Sequence, residues 1–300
     1  MKNLHFIVNP KAGRGRTKRV WESIVARLMA RDPYNSHFGV TYAEYGNSEL
    51  VTDLSTDTIL VAVGGDGTVH YAARIALLKN LTFAVIPTGT GNDYARTLGM
   101  SDDLGEAIES LFTGHTRTLD VLQFNEQIVL NIGGFGLDAA VVHVIESKPW
   151  LKKLGSLGYA LSLPIALTRF HAYSVTIRND HGTSETYENV VLLAVTNGPR
   201  FGGGMNIVPN AVLDDGIFEV CVVSGISKFS VLRLFPLIYS GSHVRHPAVS
   251  IQKVRVVDIA FNQHSPLAEY DGEPITVPNK ITATLYAQKL KVLLPSSSTR

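Results

Sequence analysis

The sequence predicts an α/β N-terminal domain, a parallel sheet covered by helices, followed by a β-rich antiparallel sandwich. Three observations carry this. Strand-like and helix-like runs alternate through the first third of the chain. Apolar runs there end abruptly in loops rich in glycine, at Asn9–Arg16, Gly64–Thr68 and Gly89–Asp93. After Asp120 strand-like runs follow one another with few helices between them. The expected boundaries are 1–122 for the first domain and 123–288 for the second.

Leu4–Val8 reads as a strand, and Lys18–Arg31 as an amphipathic helix with Val20, Ile24, Val25 and Leu28 on one face. Phe38–Tyr42 is a second strand, and Ser48–Leu54 begins a helix. Thr58–Val63 is a buried strand, Val69–Lys79 a helix, Leu81–Ile86 a fourth strand, and Asn92–Leu98 opens another helix. In the second half Val121–Phe124 and Gln127–Ile132 flank Asn125-Glu126, a hairpin signal. Tyr173–Arg178, Asn189–Thr196, Gly216–Val223, Ser250–Phe261 and Ile281–Leu285 read as strands. Asn179–Gly182 is a turn, and Gly225–Gly241 holds a helix.

Composition bounds the function. Formal charge is +1, which argues against nucleic acid as a partner. The single cysteine, Cys221, lies in an apolar run and reads as an inert buried thiol, in keeping with a reducing cytoplasm. The start of the chain lacks a secretory pattern. No apolar run reaches the ~20 residues of a membrane span.

The glycine loops carry the chemistry. Ligands of parallel sheets bind beyond the carboxyl ends of the strands, where all three loops fall. Asn9-Pro10-Lys11-Ala12-Gly13 opens the first helix, a place where backbone N–H groups suit a phosphate. It is neither a Walker A loop nor a complete dinucleotide fingerprint. Gly64-Gly65-Asp66-Gly67-Thr68 and Gly89-Thr90-Gly91-Asn92-Asp93 look like the two halves of a nucleotide cradle, with an acid in each.

With Gly64–Thr68 after a strand and Gly89–Asp93 downstream, the chain resembles the diacylglycerol kinase catalytic-domain family. Bacterial lipid kinases and sphingosine kinases belong to it. NAD kinases and phosphofructokinases are distant relatives, so the first domain is expected to be NAD-kinase/phosphofructokinase-like. Asn9–Gly13 looks like the family's first loop. Asn197-Gly198, Phe201–Met205 and Pro209–Gly216 match its second-domain signature, and Tyr270–Pro274 its D-G-E segment. The resemblance covers nearly the whole chain. It implies ATP on the first domain, lipid on the second, chemistry in the cleft between them, and a last strand at about 289–300 returning to the first domain.

The activity so implied is transfer of the ATP γ-phosphate to the hydroxyl of diacylglycerol, giving phosphatidic acid. Gly64, Gly65, Gly67 and Thr68 are suited to phosphate, and Val69, His70, Thr90 and Asn92 fall in the same nucleotide segments. Asp66 and Asp93 are hard oxygen ligands suited to Mg²⁺, although Asp93 also reads as a helix cap. Asp271 and Glu273 flank Gly272 between two strands: in extended chain they would share a face, whereas D-G is also a common hairpin pair. By resemblance one of them is the base. A structural Mg²⁺ would take the side chain of Asp215 and the carbonyls of Val212 and Ile217.

Two departures stand out. The family follows G-G-D-G-T with x-N-E, whereas this chain has Val69, His70 and Tyr71. A threonine expected near the end of the second strand is one position off, leaving Thr41 as an adenine-side candidate.

A lipid substrate implies peripheral contact with the inner face of a membrane. Pro149–Leu154, with Trp150, Lys152 and Lys153, suits an interface. Phe229, Leu232, Leu234, Phe235, Leu237 and Ile238 read as core or as a lipid-tail pocket. A homodimer is among the states the resemblance allows. The alternatives are a kinase for another lipid, such as a phosphatidylglycerol or a long-chain base, a catalytically weak nucleotide- or lipid-binding protein, and an NAD kinase.

Overall fold

The computed structural model describes residues 3–31, 38–42, 54–152, 154, 156–262 and 266–296. They form two compact units, Met1–Leu119 with Gln288–Arg300, and Asp120–Ala287.

The first unit runs β1 (Asn3–Val8), α1 (Ala12–Arg31), β2 (Phe38–Tyr42), β3 (Thr58–Gly64), α2 (Asp66–Lys79), β4 (Thr82–Pro87), α3 (Asp93–Thr97), α4 (Leu104–Thr113) and β5 (His115–Leu119). The returning strand Leu290–Leu294 inserts between β4 and β5, and the sheet order is β2-β1-β3-β4-returning strand-β5. Its pairing is parallel to β4 and antiparallel to β5, and the pairs among the first four strands are parallel. A sheet covered on both faces needs strands that are apolar throughout, and every residue of β3 is buried. On one face Phe6, Val61 and Ile86 pack with Ile24 and Leu28 of α1 and Ile108 of α4. Phe6 meets Trp21 and Phe38 edge-on, with centroids 5.5 and 5.4 Å away.

Two differences from expectation have physical causes. α2 starts at Asp66, three residues before Val69, because Gly65 stays extended and its carbonyl already accepts the amides of Thr68 and Val69. α4 and β5 were not anticipated; Asp103 caps α4 by accepting the Glu106 amide at 2.9 Å. The helix expected from Ser48 lies outside the described residues, which resume at Leu54.

The second unit runs β6 (Leu122–Phe124), β7 (Gln127–Val129), β8 (Ile132–Gly136), α5 (Leu137–Ser147), α6 (Pro149–Lys152), α7 (Ser156–Arg169), β9 (Tyr173–Asn179), β10 (Ser184–Thr196), β11 (Arg200–Phe201), β12 (Met205–Asn206), β13 (Phe218–Ser224), α8 (Lys228–Ser240), β14 (Val249–Val254), β15 (Val256–Phe261), β16 (Ala268–Tyr270), β17 (Glu273–Ile275) and β18 (Lys280–Leu285). The β-rich layer is one antiparallel sheet of 11 strands that branches at β10. The first half of β10 pairs with β9. Its second half, past a register shift, lies between β8 and β13. Phe135, Leu193, Val195, Phe218, Val220 and Ile259 share one core. The single strand expected over Ser250–Phe261 is two strands. It breaks at Arg255, so that β14 pairs with β13 while β15 pairs with β9 and β18.

Cys221 on β13 is fully buried, and burial pushes its thiol up to about 12, which makes it inert. Among the described residues no helix is long and apolar enough to cross a membrane.

Candidate active site

In the first unit three loops meet at the carboxyl ends of β1, β3 and β4. Asn9 turns the chain after β1: its amide donates to Val63 O at 3.0 Å, and its side-chain oxygen accepts the Lys11 amide at 3.0 Å. Gly13, Arg14 and Gly15 follow in left-handed conformation before α1 becomes regular. Gly13 is required twice over. Its φ is +56°, and a Cβ there would lie 2.1 Å from the Thr88 carbonyl oxygen. Beneath it the hydroxyls of Thr17 and Thr88 meet at 2.5 Å. The second and third loops are equally close. Gly64 O accepts the amides of Thr88 and Gly89 at 2.9 and 3.1 Å, and a Cβ on Gly89 would lie 2.4 Å from the Gly65 Cα.

Asp66 ties this cluster together. Its Oδ2 accepts the Asn92 amide at 3.0 Å and its Oδ1 the Asp93 amide at 2.9 Å. It therefore caps α3 from a neighbouring loop. Asn92 is the left-handed residue before that helix, and Asp93 is its first residue. A Cβ on Gly91 would lie 2.6 Å from Asp66 Oδ2 and 3.7 Å from Asp93 Oδ2, so both acids flank Gly91. With Thr68 and Val69 bonded to Gly65 O, the first-turn donors of α2 without an acceptor inside the helix are the amides of Asp66 and Gly67. They open the positive end of a helix of 14 residues.

Several expected nucleotide residues are placed otherwise. Thr68 and Val69 are buried, their amides are engaged, and Val69 belongs to the core, so its side chain has no surface for a ligand. The Thr41 hydroxyl meets His5 Nε2 at 2.8 Å on the sheet. His70 packs edge-on to Tyr94 with centroids 6.4 Å apart. Pro10 is half-buried, and Lys11 and Thr90 are exposed.

In the second unit the expectation for Asp271 and Glu273 is corrected. They do not alternate along one extended strand. Asp271 and Gly272 form the two-residue turn between β16 and β17, both with positive φ, and only Glu273 is in a strand. The Asp271 carboxylate accepts three backbone N–H groups, from Leu130 at 2.8 Å, Asn131 at 2.9 Å and Ile132 at 3.0 Å. Glu273 is exposed.

From this turn a polar chain runs through Asn197 and through Asn131 and Asp120, to which the sequence assigned no role. The Asn131 carbonyl accepts the Asn197 amide at 3.0 Å. Asn197 Nδ2 donates to the Asp120 carbonyl at 2.7 Å. Asp120 in turn donates its amide to Leu213 O at 2.8 Å and accepts the Gly216 amide on Oδ2 at 2.8 Å. The N-G, L-D-D-G and D-G-E segments, far apart in sequence, are thus one hydrogen-bonded assembly.

At its end Asp215 is exposed and accepts the Ile217 amide at 3.3 Å. Buried Glu219 feels its charge. Burial first, and Asp215 next among the raising causes, push Glu219 up to about 7 against the pull of Lys253. Neither carboxylate oxygen of Glu219 accepts a hydrogen bond among the described residues. Carboxylates are donors a hard divalent cation takes, and Lys253 Nζ already lies 3.7 Å from Glu219 Oε1. Among the described residues no three Asp, Glu, His or Cys side chains converge as a metal cluster.

Under α5, α7 and α8 lies an open-sided cavity. Leu163, Val191, Met205, Leu234, Phe235 and Ile238 are among its walls, with Asp138, Tyr159 and His243 as polar exceptions. His243 is buried with Nε2 at 2.9 Å from Ile207 O, and desolvation lowers its pKa. The apolar segment Phe229–Ile238 is therefore split: Leu234, Phe235 and Ile238 face the cavity, whereas Phe229, Leu232 and Leu237 are exposed.

The model of the diacylglycerol kinase catalytic domain matches residues 3–124, and that of the YegS C-terminal NAD kinase beta sandwich-like domain matches 132–294. The chain belongs to the diacylglycerol kinase family. It is a kinase by that membership. A diacylglycerol kinase of Staphylococcus carnosus is 27% identical over 91% of this chain and 90% of its own length. A solved putative diacylglycerol kinase from Bacillus anthracis superposes with a TM-score of 0.78 at 26% identity, covering 98% of this chain and 97% of that one. An NAD kinase from Archaeoglobus fulgidus, solved in complex with ATP, shares the fold with a TM-score of 0.51 at 14% identity, covering 98% and 94%. In this family member three loops cluster in the first unit, and Tyr71 stands where the sequence pattern led to the expectation of an acid. Tyr71 is half-buried, and its phenol is raised by desolvation.

Proposed function

We propose that this kinase transfers the γ-phosphoryl group of ATP to the hydroxyl of diacylglycerol, giving phosphatidic acid and ADP. The observation that carries the lipid reading is the cavity in the second unit, walled almost wholly by apolar side chains. A polar acceptor would gain nothing from such walls, whereas an acyl chain gains roughly 0.8 kcal/mol per buried methylene.

The amides of Asp66 and Gly67, at the start of α2, support phosphate binding in the first unit. Asp66 and Asp93 flank the same glycine, and their outer lone pairs are the ones suited to Mg²⁺, which would neutralise phosphate charge. In the second unit Glu273 is the proton acceptor. Asp271 already receives three backbone amides and serves to hold the turn, whereas the carboxylate of Glu273 is exposed. The acceptor oxygen attacks the γ-phosphorus, its proton passes to Glu273, and the bond to the β-phosphate bridging oxygen breaks.

The test is transfer of label from γ-labelled ATP to diacylglycerol in mixed micelles with Mg²⁺, beside Glu273→Gln. Label in phosphatidic acid, lost in the variant, is the expected result. Label only in another lipid of a total extract moves the acceptor. No label in any lipid, with ATP bound, replaces the kinase reading of this chain with nucleotide or lipid binding.

A further inference from the structure

α7 and α8 are apolar on both sides. Their inner faces wall the cavity through Tyr159, Leu163, Val231, Leu234 and Phe235. Their outer faces stay in water: Leu157 is 68% exposed, Leu161 49% and Ile165 38%, at a spacing of four that lines one stripe of α7. On α8 Phe229 is 62% exposed, Leu237 44% and Leu232 40%. A surface helix of a water-soluble fold is normally polar on its outer side. Single exposed leucines need no explanation, but stripes on two helices flanking one cavity do.

Along the two stretches that carry the stripes the charges are of one sign. The sequence contains no Asp or Glu from Lys148 to Arg178, nor from Gly225 to Val257. Lys228 donates from Nζ to Leu167 O at 2.6 Å, tying the start of α8 to the end of α7. The Arg233 guanidinium lies 4.4 Å from the Phe229 ring centroid, so an exposed aromatic carries a cation on its face. Pairing of these two helices with their copies would bring basic side chains together with no acid from either stretch to receive them.

We propose that the outer faces of α7 and α8 dock this protein on the surface of an anionic lipid bilayer. Leu157, Leu161, Ile165 and Phe229 enter the headgroup boundary while Arg233 and Lys228 meet lipid phosphates. The inner faces of the same helices then present the cavity beside the lipid it would take up. This deepens the lipid reading of that cavity and rests on it, but the docking itself needs no nucleotide.

The test is co-sedimentation of the full chain, without ATP, with phosphatidylcholine vesicles with and without phosphatidylglycerol. Binding to the anionic vesicles is expected, weaker in high salt, with a drop of about tenfold or more in Leu161→Glu and in Phe229→Glu. Unchanged thermal melting shows that the variants fold, and Leu157→Gln gives a milder substitution on the same stripe. Wild-type protein that ignores anionic vesicles overturns the proposal, as does equal binding by all three variants. Equal binding to neutral vesicles overturns its charge component. A dimer in solution that Leu161→Glu dissociates, with vesicle binding unaffected, assigns the face to a second copy instead. Vesicle binding without phosphotransfer to any lipid would remove the kinase reading and leave the docking intact.

Discussion

Asp138 Oδ2 and Glu269 Oε1 converge on one point above Gly134, where a Cβ would lie 1.8 Å from the first and 2.6 Å from the second. Asp138 opens α5, Glu269 is in β16, and both are buried. Two carboxylates this close in a dry site do not both ionise, so the pair holds a proton. Glu269 Oε2 also accepts the Gly272 amide, which couples the pair to the turn carrying Asp271.

Burial pushes Asp138 from 3.8 up to about 7. An acid whose folded value lies above its unfolded value stabilises fully when protonated in both states. That contribution is lost as pH rises from about 4 to about 7. Tyr173, whose hydroxyl donates to Phe135 O, and Cys221 face Asp138; Tyr270 and the Asp271 turn lie beside Glu269. Asp138→Asn is therefore expected to melt several degrees above wild type at pH 8 and level with it at pH 4, at roughly 2–4 °C per kcal/mol. Equal melting at both values would show that the pair does not hold a proton.

Asp66 has a structural task besides any nucleotide role, because it receives the amides of Asn92 and Asp93. Asp66→Ala should cost about 1–2 kcal/mol in denaturant unfolding and lower turnover by at least about a hundredfold. Unchanged unfolding would mean that the cap contributes nothing. Unchanged turnover would remove Asp66 from the chemistry.

The D-G-E turn separates two roles by mutation. Glu273→Gln should lower kcat by about 10²–10⁴ and leave melting unchanged, since the side chain is exposed. Asp271→Asn places an NH₂ among three backbone donors, and should destabilise by about 1–3 kcal/mol. If the two variants exchange these phenotypes, the base is Asp271.

Mg²⁺ should raise the melting temperature of wild-type protein by a few degrees, as any ligand of the folded state does. In Asp215→Ala the shift should be smaller, leaving only what Asp66 and Asp93 contribute. An identical Mg²⁺ response in both proteins would place the ion elsewhere.

The alternation of the first unit was legible because its strands are buried on both faces and read as unbroken apolar runs, as in Ile59–Val63. The glycine loops were legible for a related reason: Gly13 and Gly89 are forced by backbone contacts that leave no room for a side chain. The polar assembly of the second unit was not. Asp271 and the amides it holds at Leu130–Ile132 are about 140 positions apart in sequence, and no local pattern marks Asp120 or Asn131. Of the two readings of Asp271 and Glu273 the D-G hairpin pair holds, because alternation applies only to extended backbone and Asp271 has a φ of 51°. The double face of α8 was also hidden. An apolar run without period shows no difference between Phe235, against the cavity, and Phe229, in water. Arg255 breaks a run that alternates smoothly on either side, so β14 and β15 read as one.

The returning strand Leu290–Leu294 lies inside the first unit's sheet, between β4 and β5, rather than at its edge. On the ribosome, then, β4 and β5 emerge early but must wait for nearly the whole polypeptide before the strand that joins them exists. The second unit has all of its strands first, and the nascent first unit carries two open edges through that interval. Chaperone dependence during synthesis should therefore concentrate on the part that is made first.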